Sequence, residues 1–177
     1  MSKTVFLDRD GVINEPAAPH EYIRRWEDFH FIPGSIEAIR ALHEDGYQVI
    51  VVTNQRGIAR GMFTQATLDN LHQKLQDALK EHQTYLDQIY VCPHNDNECT
   101  CRKPQIGLFL AAEREFAIDK AHSWMIGDSL TDIQAGQRYG IRTILIAESD
   151  TQLKTDQVCS SLSAAVNYLR SIATCKY

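Results

Sequence analysis

Asp8 and Asp10 stand two residues apart, directly after the apolar run Val5-Phe6-Leu7 and just before Gly11. Two carboxylates at this spacing converge on one point if the chain turns after a strand. A carboxylate in such a pair is a competent nucleophile toward phosphorus or a glycosidic carbon, and the pair attracts a hard cation such as Mg²⁺. Its partner can act as acid and then as base, on the leaving oxygen and on the attacking water. Asp128, after Gly127, adds a third carboxylate for the cation's oxygen shell, and Asp132 follows one helical turn on, placed to join or orient it. Phosphoryl chemistry also needs donors for the equatorial oxygens, over which transition-state charge spreads. The Thr53 hydroxyl, the Asn54 backbone N–H and the Lys103 ammonium are the candidates.

A second group is built from softer ligands. Cys92, His94, Cys99 and Cys101 bring thiolates and an imidazole into one ten-residue stretch. That set suits tetrahedral Zn²⁺, and four protein ligands leave no open position for catalysis. The expected role is a structural clip over residues 92–101 that fixes the direction of Arg102 and Lys103. The chain has 5 cysteines, an odd number that argues against a secreted disulfide framework. Cys159 and Cys175, far from the cluster, read as ordinary reduced thiols.

These residues need elements to position them, and the pattern alternates strand and helix. Thr4–Leu7, Tyr47–Val52, Ile89–Cys92, Ser123–Ile126 and Arg142–Ile146 are short apolar runs that read as buried strands. Between them, Ser35 is the predicted N-cap of a helix ending at Gly46, on which Ile36, Ile39, Leu42 and His43 share a face. Thr64 is the predicted cap of a long helix to His82, with Leu68, Leu71, Leu75, Ala78 and Leu79 as a core-facing stripe. Further helices are expected over Ile106–Phe116, Thr131–Tyr139 and Ser163–Ile172, and Glu148–Ser160 is the least patterned stretch. Alternation of this kind predicts a mainly parallel sheet of Rossmann-like α/β type with helices on both faces. Ligands bind such sheets outside the carboxyl ends of the strands, where Asp8, Asp10, Thr53, Asn54 and Asp128 would all meet.

Composition narrows the partners. The 177 residues, 44% of them hydrophobic, are expected to form a single domain over 1–177. A net charge of −5 without runs of like charge offers no footprint for nucleic acid or anionic lipid. The first residues carry no secretory signal pattern, and no run approaches the roughly 18 apolar residues of a membrane helix. A cytoplasmic monomer acting on a small molecule is expected.

Taken together, Asp8-Arg9-Asp10-Gly11, Val52-Thr53-Asn54, Arg102-Lys103-Pro104 and Gly127-Asp128-Ser129-Leu130-Thr131-Asp132 resemble the four ordered motifs of the haloacid dehalogenase (HAD) superfamily of phosphatases. The resemblance implies an aspartyl-phosphate mechanism. Asp8 would attack phosphorus, and Asp10 would protonate the leaving alkoxide and then activate water. Thr53 and Lys103 would hold the phosphoryl oxygens, and Mg²⁺ would bind Asp8, the Asp10 backbone carbonyl and Asp128.

The zinc clip leading into Arg102-Lys103-Pro104 resembles two branches of that superfamily, the D,D-heptose 1,7-bisphosphate phosphatases and the histidinol-phosphate phosphatases. Thr53–Gly61 and Phe31–Gly34 are similar to the heptose branch, whereas the short spacing from His94 to Cys99 is similar to the histidinol branch. The first stretch adjoins the leaving-group side of the site and carries more weight. The expectation is therefore removal of the 7-phosphate of a heptose 1,7-bisphosphate, a step toward nucleotide-activated heptose for bacterial surface glycans. Histidinol phosphate or another small sugar phosphate is the alternative substrate, and a catalytically silent binding module is the alternative of a different class. Relatives often place Lys or Arg after the motif aspartate, where this chain has Ser129. Positive charge for a second phosphate would then come from Arg56, Arg60 or Arg102, whose planar donors suit it. Asn54, Gln55, His20 and Tyr22 complete the expected substrate contacts. The spacing from Asp10 to Thr53 and on to Lys103 leaves no room for a separate cap domain.

Overall fold

The computed structural model describes residues 1–18, 21–148 and 153–174. Six strands form one sheet: β1 (Thr4–Leu7), β2 (Gln48–Asn54), β3 (Gln88–Cys92), β4 (Trp124–Gly127), β5 (Arg142–Ile146) and β6 (Gln157–Cys159). Their order is β3-β2-β1-β4-β5-β6, and every pairing is parallel. The helices are α1 (Ser35–Glu44), α2 (Gln65–Glu81), α3 (Gly107–Glu115), α4 (Leu130–Tyr139) and α5 (Leu162–Thr174).

Strand alternation sorts the apolar side chains into two cores. Val5 and Leu7 of β1, with Val49, Val51 and Ile126, pack under α1, α2 and α5; Phe6, Ile50, Val52 and Met125 point the other way, under α3 and α4. Both faces are thus covered, which is why the central strands are continuously apolar. Leu68, Leu71, Leu75 and Leu79 of the α2 stripe are core as expected, while Ala78 is half-buried; Thr64 caps that helix by accepting a hydrogen bond from the Thr67 N–H at 3.1 Å.

Two expectations need correction. The sheet has a sixth strand, β6, inside the stretch that showed least pattern. It is only three residues long and begins with a glutamine, so no apolar run announces it; register with β5 creates it. Ser35 is the first residue of α1 rather than its cap. The cap position is Gly34, at φ 82°, whose carbonyl accepts from Ser163 Oγ of α5 at 3.0 Å. A Cβ at Gly34 would lie 2.6 Å from that oxygen, so close packing of α5 dictates the glycine and displaces the expected side-chain cap.

After β1 the chain moves outward through β2 to β3, then returns to β4 on the other side and continues to β6. The reversal between β1 and β4 opens a crevice at their carboxyl ends. The segments above that edge are loops, with no separate cap among the described residues.

Candidate active site

β1 delivers Asp8 to the crevice, and the ladder continues one residue further because the Asp8 N–H donates to Ile126 O at 3.0 Å. The chain then folds back sharply. The Arg9 carbonyl accepts from the N–H groups of Ile13 and Asn14, at 2.8 and 3.2 Å, and Gly11 N–H donates to Asn14 O at 2.8 Å. Gly11 sits at φ 82°, and a Cβ there would lie 2.0 Å from Asp128 Oδ2. Only glycine permits both the turn and the approach of the Asp128 carboxylate.

Lys103 enters from the other side, almost completely buried. Its Nζ reaches Asp8 Oδ1 at 3.0 Å, Asp132 Oδ1 at 2.6 Å and the Val52 carbonyl at 2.6 Å. These contacts use all three ammonium protons. Asn54 holds the Lys103 backbone with a pair of bonds: its Nδ2 donates to Lys103 O at 3.1 Å, and its Oδ1 accepts from Lys103 N at 3.0 Å. Asp132 is buried, and its second oxygen accepts from Ser129 N at 3.1 Å and Ser129 Oγ at 2.6 Å. The Ser129 side chain accepts in return from Asp132 N, closing a capping box at the start of α4. Ser129 is thus a helix cap.

Asp10 points elsewhere. Its carboxylate accepts from Arg9 Nη2 at 2.9 Å on each oxygen, from Asn14 Nδ2 at 2.9 Å and from Gln55 Nε2 at 2.9 Å. Gln55 Nε2 also donates to the buried Thr53 Oγ1 at 3.0 Å. Arg9 is itself buried, and its Nη1 donates to His72 Nε2 of α2 at 3.0 Å. Burial and then the Arg9 charge push His72 down to about 3, so it stays neutral and accepts.

The electrostatics follow from this crowding. Burial pushes the Asp8 carboxyl up to about 7, against the pull of Lys103 and with further repulsion from Asp132, Asp10 and Asp128. Burial and Asp132 likewise push Asp128 up to about 6. Burial also acts upward on Asp10, but the Arg9 charge and the bonds from Asn14, Arg9 and Gln55 outweigh it and hold that carboxyl below its ordinary value. For Lys103 the burial effect is downward, yet Asp132 and Asp8 win and its ammonium is held above the usual range.

Asp8, Asp128 and Asp132 bring carboxylate oxygens within 4.8 Å of one another. Lys103 is the close cation among the described residues and Arg9 is matched to Asp10, so the three carboxylates when ionised exceed their counter-charge by two, the same crowding that raises Asp8 and Asp128. A divalent cation with oxygen preference fits that deficit. Of the expected Mg²⁺ ligands, the Asp8 and Asp128 carboxylates stand in this cluster; the expected contribution of Asp10 is its backbone carbonyl, so its side chain is free to turn away, and Asp132 is the third carboxylate present. Both Asp132 oxygens are already engaged, which makes Asp132 the anchor of Lys103 and leaves Asp8 and Asp128 as the carboxylates available to a metal.

The second group also assembles. Cys92, His94, Cys99 and Cys101 place their ligand atoms within 4.8 Å of one another, with Sγ–Sγ separations of 3.5 Å (Cys92–Cys99) and 3.3 Å (Cys99–Cys101). Tetrahedral Zn–S bonds of about 2.3 Å imply sulfur separations near 3.8 Å, so the four donors fit zinc. The Arg102 N–H donates to Cys99 Sγ at 3.3 Å, tying the cluster to the residue before Lys103.

The remaining expected substrate contacts separate into groups. Asn54 and Gln55 are committed to Lys103 and to Asp10 with Thr53. Arg56 and Arg102 converge on Asp96, at the tip of the zinc loop. Arg60 is exposed at the same rim. Tyr22 packs its ring against Phe63, 5.7 Å between centroids. His20 lies outside the described residues, as does Cys175. Sequence reasoning missed Arg9, Asn14 and His72. His72 did carry a signal: it falls four residues after Leu68 and three before Leu75, on the apolar stripe of α2, where a histidine requires a partner.

Comparisons with known proteins agree with this geometry. Residues 100–166 match the HAD-hydrolase-like family. A protein of Haemophilus ducreyi named D-glycero-β-D-manno-heptose-1,7-bisphosphate 7-phosphatase is 37% identical, over 94% of this chain and 98% of that one. The protein of the same name in Escherichia coli K12 is 39% identical, over 90% and 89%. Among solved structures, D,D-heptose 1,7-bisphosphate phosphatase from B. bronchiseptica, complexed with magnesium and phosphate, superposes with a TM-score of 0.87 at 34% identity, covering 96% of this chain and 99% of that one. With similarity of this extent across nearly the whole of both chains, and a crevice holding the expected carboxylates and lysine, the chain belongs to this heptose bisphosphate phosphatase family of HAD-type hydrolases.

Proposed function

We propose that the chain acts as one catalytic domain that hydrolyses the 7-phosphate of D-glycero-D-manno-heptose 1,7-bisphosphate through an aspartyl-phosphate intermediate. The observation that carries this reading is Lys103, whose Nζ bridges Asp8 and Asp132 beside the Asp128 carboxylate. Asp8 is the nucleophile: its carboxylate oxygen bonds to phosphorus as the bond from phosphorus to the sugar oxygen breaks. Asp10 gives its proton to that leaving oxygen, and in the second step takes a proton from the water that displaces Asp8 and releases phosphate. The Arg9, Asn14 and Gln55 clamp favours ionised Asp10, the form needed for the second step. The dianionic phosphoryl group of the substrate raises the proton affinity of Asp10 for the first. Thr53 and Lys103 hold phosphoryl oxygens in both steps, Lys103 with the N–H it otherwise donates to Asp8.

Mg²⁺ held by Asp8, Asp128 and the Asp10 backbone carbonyl supplies charge neutralisation at the phosphoryl oxygens. Zn²⁺ on Cys92, His94, Cys99 and Cys101 is structural, since all four positions are filled by protein. With Ser129 engaged as a cap, the second phosphate of the substrate is assigned to Arg56 and Arg102, with Arg60 at the rim. The partner is this sugar bisphosphate rather than nucleic acid. No helix among the described residues is long and apolar enough to cross a membrane, and we take the enzyme to work as a cytoplasmic monomer.

The test is Mg²⁺-dependent phosphate release from both anomers of the heptose bisphosphate and from histidinol phosphate, with Asp8→Asn as the blank. Preference for one bisphosphate anomer is the expected result. Faster release from histidinol phosphate overturns the substrate assignment and leaves the phosphatase chemistry standing.

A further inference from the structure

Asp96 belongs to neither metal group, yet it collects two cations of the site. Arg56 Nη1 donates to its Oδ2, and Arg102 Nε donates to its Oδ1 at 2.6 Å. The two arginines reach it from different loops. Arg56 follows Gln55, which touches Asp10 and Thr53; Arg102 precedes Lys103, which touches Asp8. The loop after β2 is strapped to the zinc loop because Gln55 N–H donates to Cys92 O at 2.8 Å and Ala59 N–H to Pro93 O at 3.1 Å. Two guanidinium groups fixed on one carboxylate, one residue away from the reacting groups, form an anion site, and its present occupant is the protein's own side chain.

The three side chains differ in exposure. Arg56 and Arg102 keep 25% and 19% of their side-chain surface, while Asp96 keeps 58%. Arg102 Nη1 is buried and has no acceptor among the described residues, so the fork holds a donor that Asp96 leaves unused. The Asp96 backbone is held from both sides. Asn95 N–H and Nδ2 donate to the Glu98 carboxylate at 3.0 and 3.1 Å, and His94 and Cys99 are zinc-cluster residues. Its side chain is free to turn toward water. Exposed pairs of this kind are weak, which makes them replaceable by a stronger anion.

We propose that Asp96 is a specificity-determining residue: it occupies the Arg56–Arg102 fork in the free enzyme and yields it to the second phosphate of the substrate. This rests on the assignment of that phosphate to the two arginines. A phosphate monoester brings about −1.5 to −2 charge and three acceptor oxygens against the single charge of a carboxylate, and it can satisfy Arg102 Nη1 as well. An uncharged far end of a substrate cannot displace Asp96. The carboxylate therefore lowers the affinity for bisphosphates in exchange for a fork that stays assembled and neutralised when empty.

The test compares wild type with Asp96→Asn and Asp96→Ser, each verified to retain zinc, on heptose 1,7-bisphosphate and on heptose 7-phosphate. The quantity read is the KM of the monophosphate divided by that of the bisphosphate. Removing the competing charge is expected to raise this ratio about 3- to 10-fold at low salt, and by less than about 2-fold at ~0.5 M salt, where the charges are screened. The same ratio is read from calorimetric affinities in an Asp8→Asn background, so the result does not depend on turnover. An unchanged ratio overturns the proposal. A lowered ratio also overturns it, since Asp96 would then be organising the arginines rather than competing for them. Wild-type selectivity tests the functional reading separately: a wild type indifferent to the second phosphate refutes the substrate assignment, whatever Asp96 does.

Discussion

Replacing Asp132 by alanine exposes how the site is paid for in stability. The side chain is fully buried and serves two partners through different oxygens, Lys103 Nζ at 2.6 Å and the Ser129 N–H and Oγ at 3.1 and 2.6 Å. Removing one member of a buried ion pair costs about 3–5 kcal/mol, and the low end applies because Asp8 and the Val52 carbonyl still hold the ammonium. Loss of the capping box adds about 1 kcal/mol. The expected destabilisation is thus about 4 kcal/mol, or a fall in Tm of roughly 8–16 °C for a chain of this size. Asp132→Asn should fall between wild type and Asp132→Ala, because its one carbonyl oxygen can accept from Ser129 or from Lys103 but not from both. Urea denaturation followed by fluorescence of Trp124, buried in β4, measures the stability. The kcat/KM of the folded variant is expected to drop by about 10²-fold, because an ammonium with two of its three anchors is held less accurately for the phosphoryl group. A loss below about 1 kcal/mol with an unchanged m-value would refute the reasoning, since Lys103 would then be held by Asp8 and Val52 alone.

Three other perturbations follow from the same geometry. Gly11→Ala places a methyl group on Asp128 at a backbone φ of 82°; activity should survive only at raised Mg²⁺, so a Mg²⁺ titration with unchanged half-saturation refutes the packing argument. Stripping zinc with a strong chelator should lower Tm and reduce kcat/KM together, because Cys99 Sγ holds the Arg102 N–H next to Lys103; full activity with zinc demonstrably absent excludes the clip as a support for the site. His72 is held neutral, at about 3 against 6.5 in the unfolded chain, so the unfolded state takes up the proton first as pH falls. Stability is unaffected by this group above pH 7 and falls progressively between about 6.5 and 3, the loss being about 2 kcal/mol at pH 5. His72→Gln should flatten that part of the stability profile in urea titrations at pH 5 and pH 7.5, and an unaltered slope counts against a His72 held neutral by burial beside Arg9.

Much of the fold was legible because the local and tertiary signals agree. Thr64 caps α2 where the hydroxyl was expected, and Gly46 and Gly140 end α1 and α4 where a left-handed residue must follow the helix. The misreadings share a cause. Ser35 lost its capping role to the packing of α5 on Gly34, and β6 exists through pairing with β5 rather than through its own hydrophobicity. Neither influence lies within a few residues of the position it governs.

The site divides in the same way. Residue type and spacing alone picked out the carboxylates, the lysine and the four soft ligands that the fold gathers into two clusters, because nucleophile, cation and zinc chemistry each demand particular atoms, and strand ends bring the carboxylates to one edge. Tertiary structure alone decided their partners. Asp10 turned to Arg9 and Asn14, Asn54 and Gln55 became supports for Lys103 and Thr53, Asp132 became an anchor, and Asp96 took the arginines assigned to substrate. A buried charge must find a counter-charge or donor at once, and which one it finds depends on distances across the fold that a linear sequence does not contain.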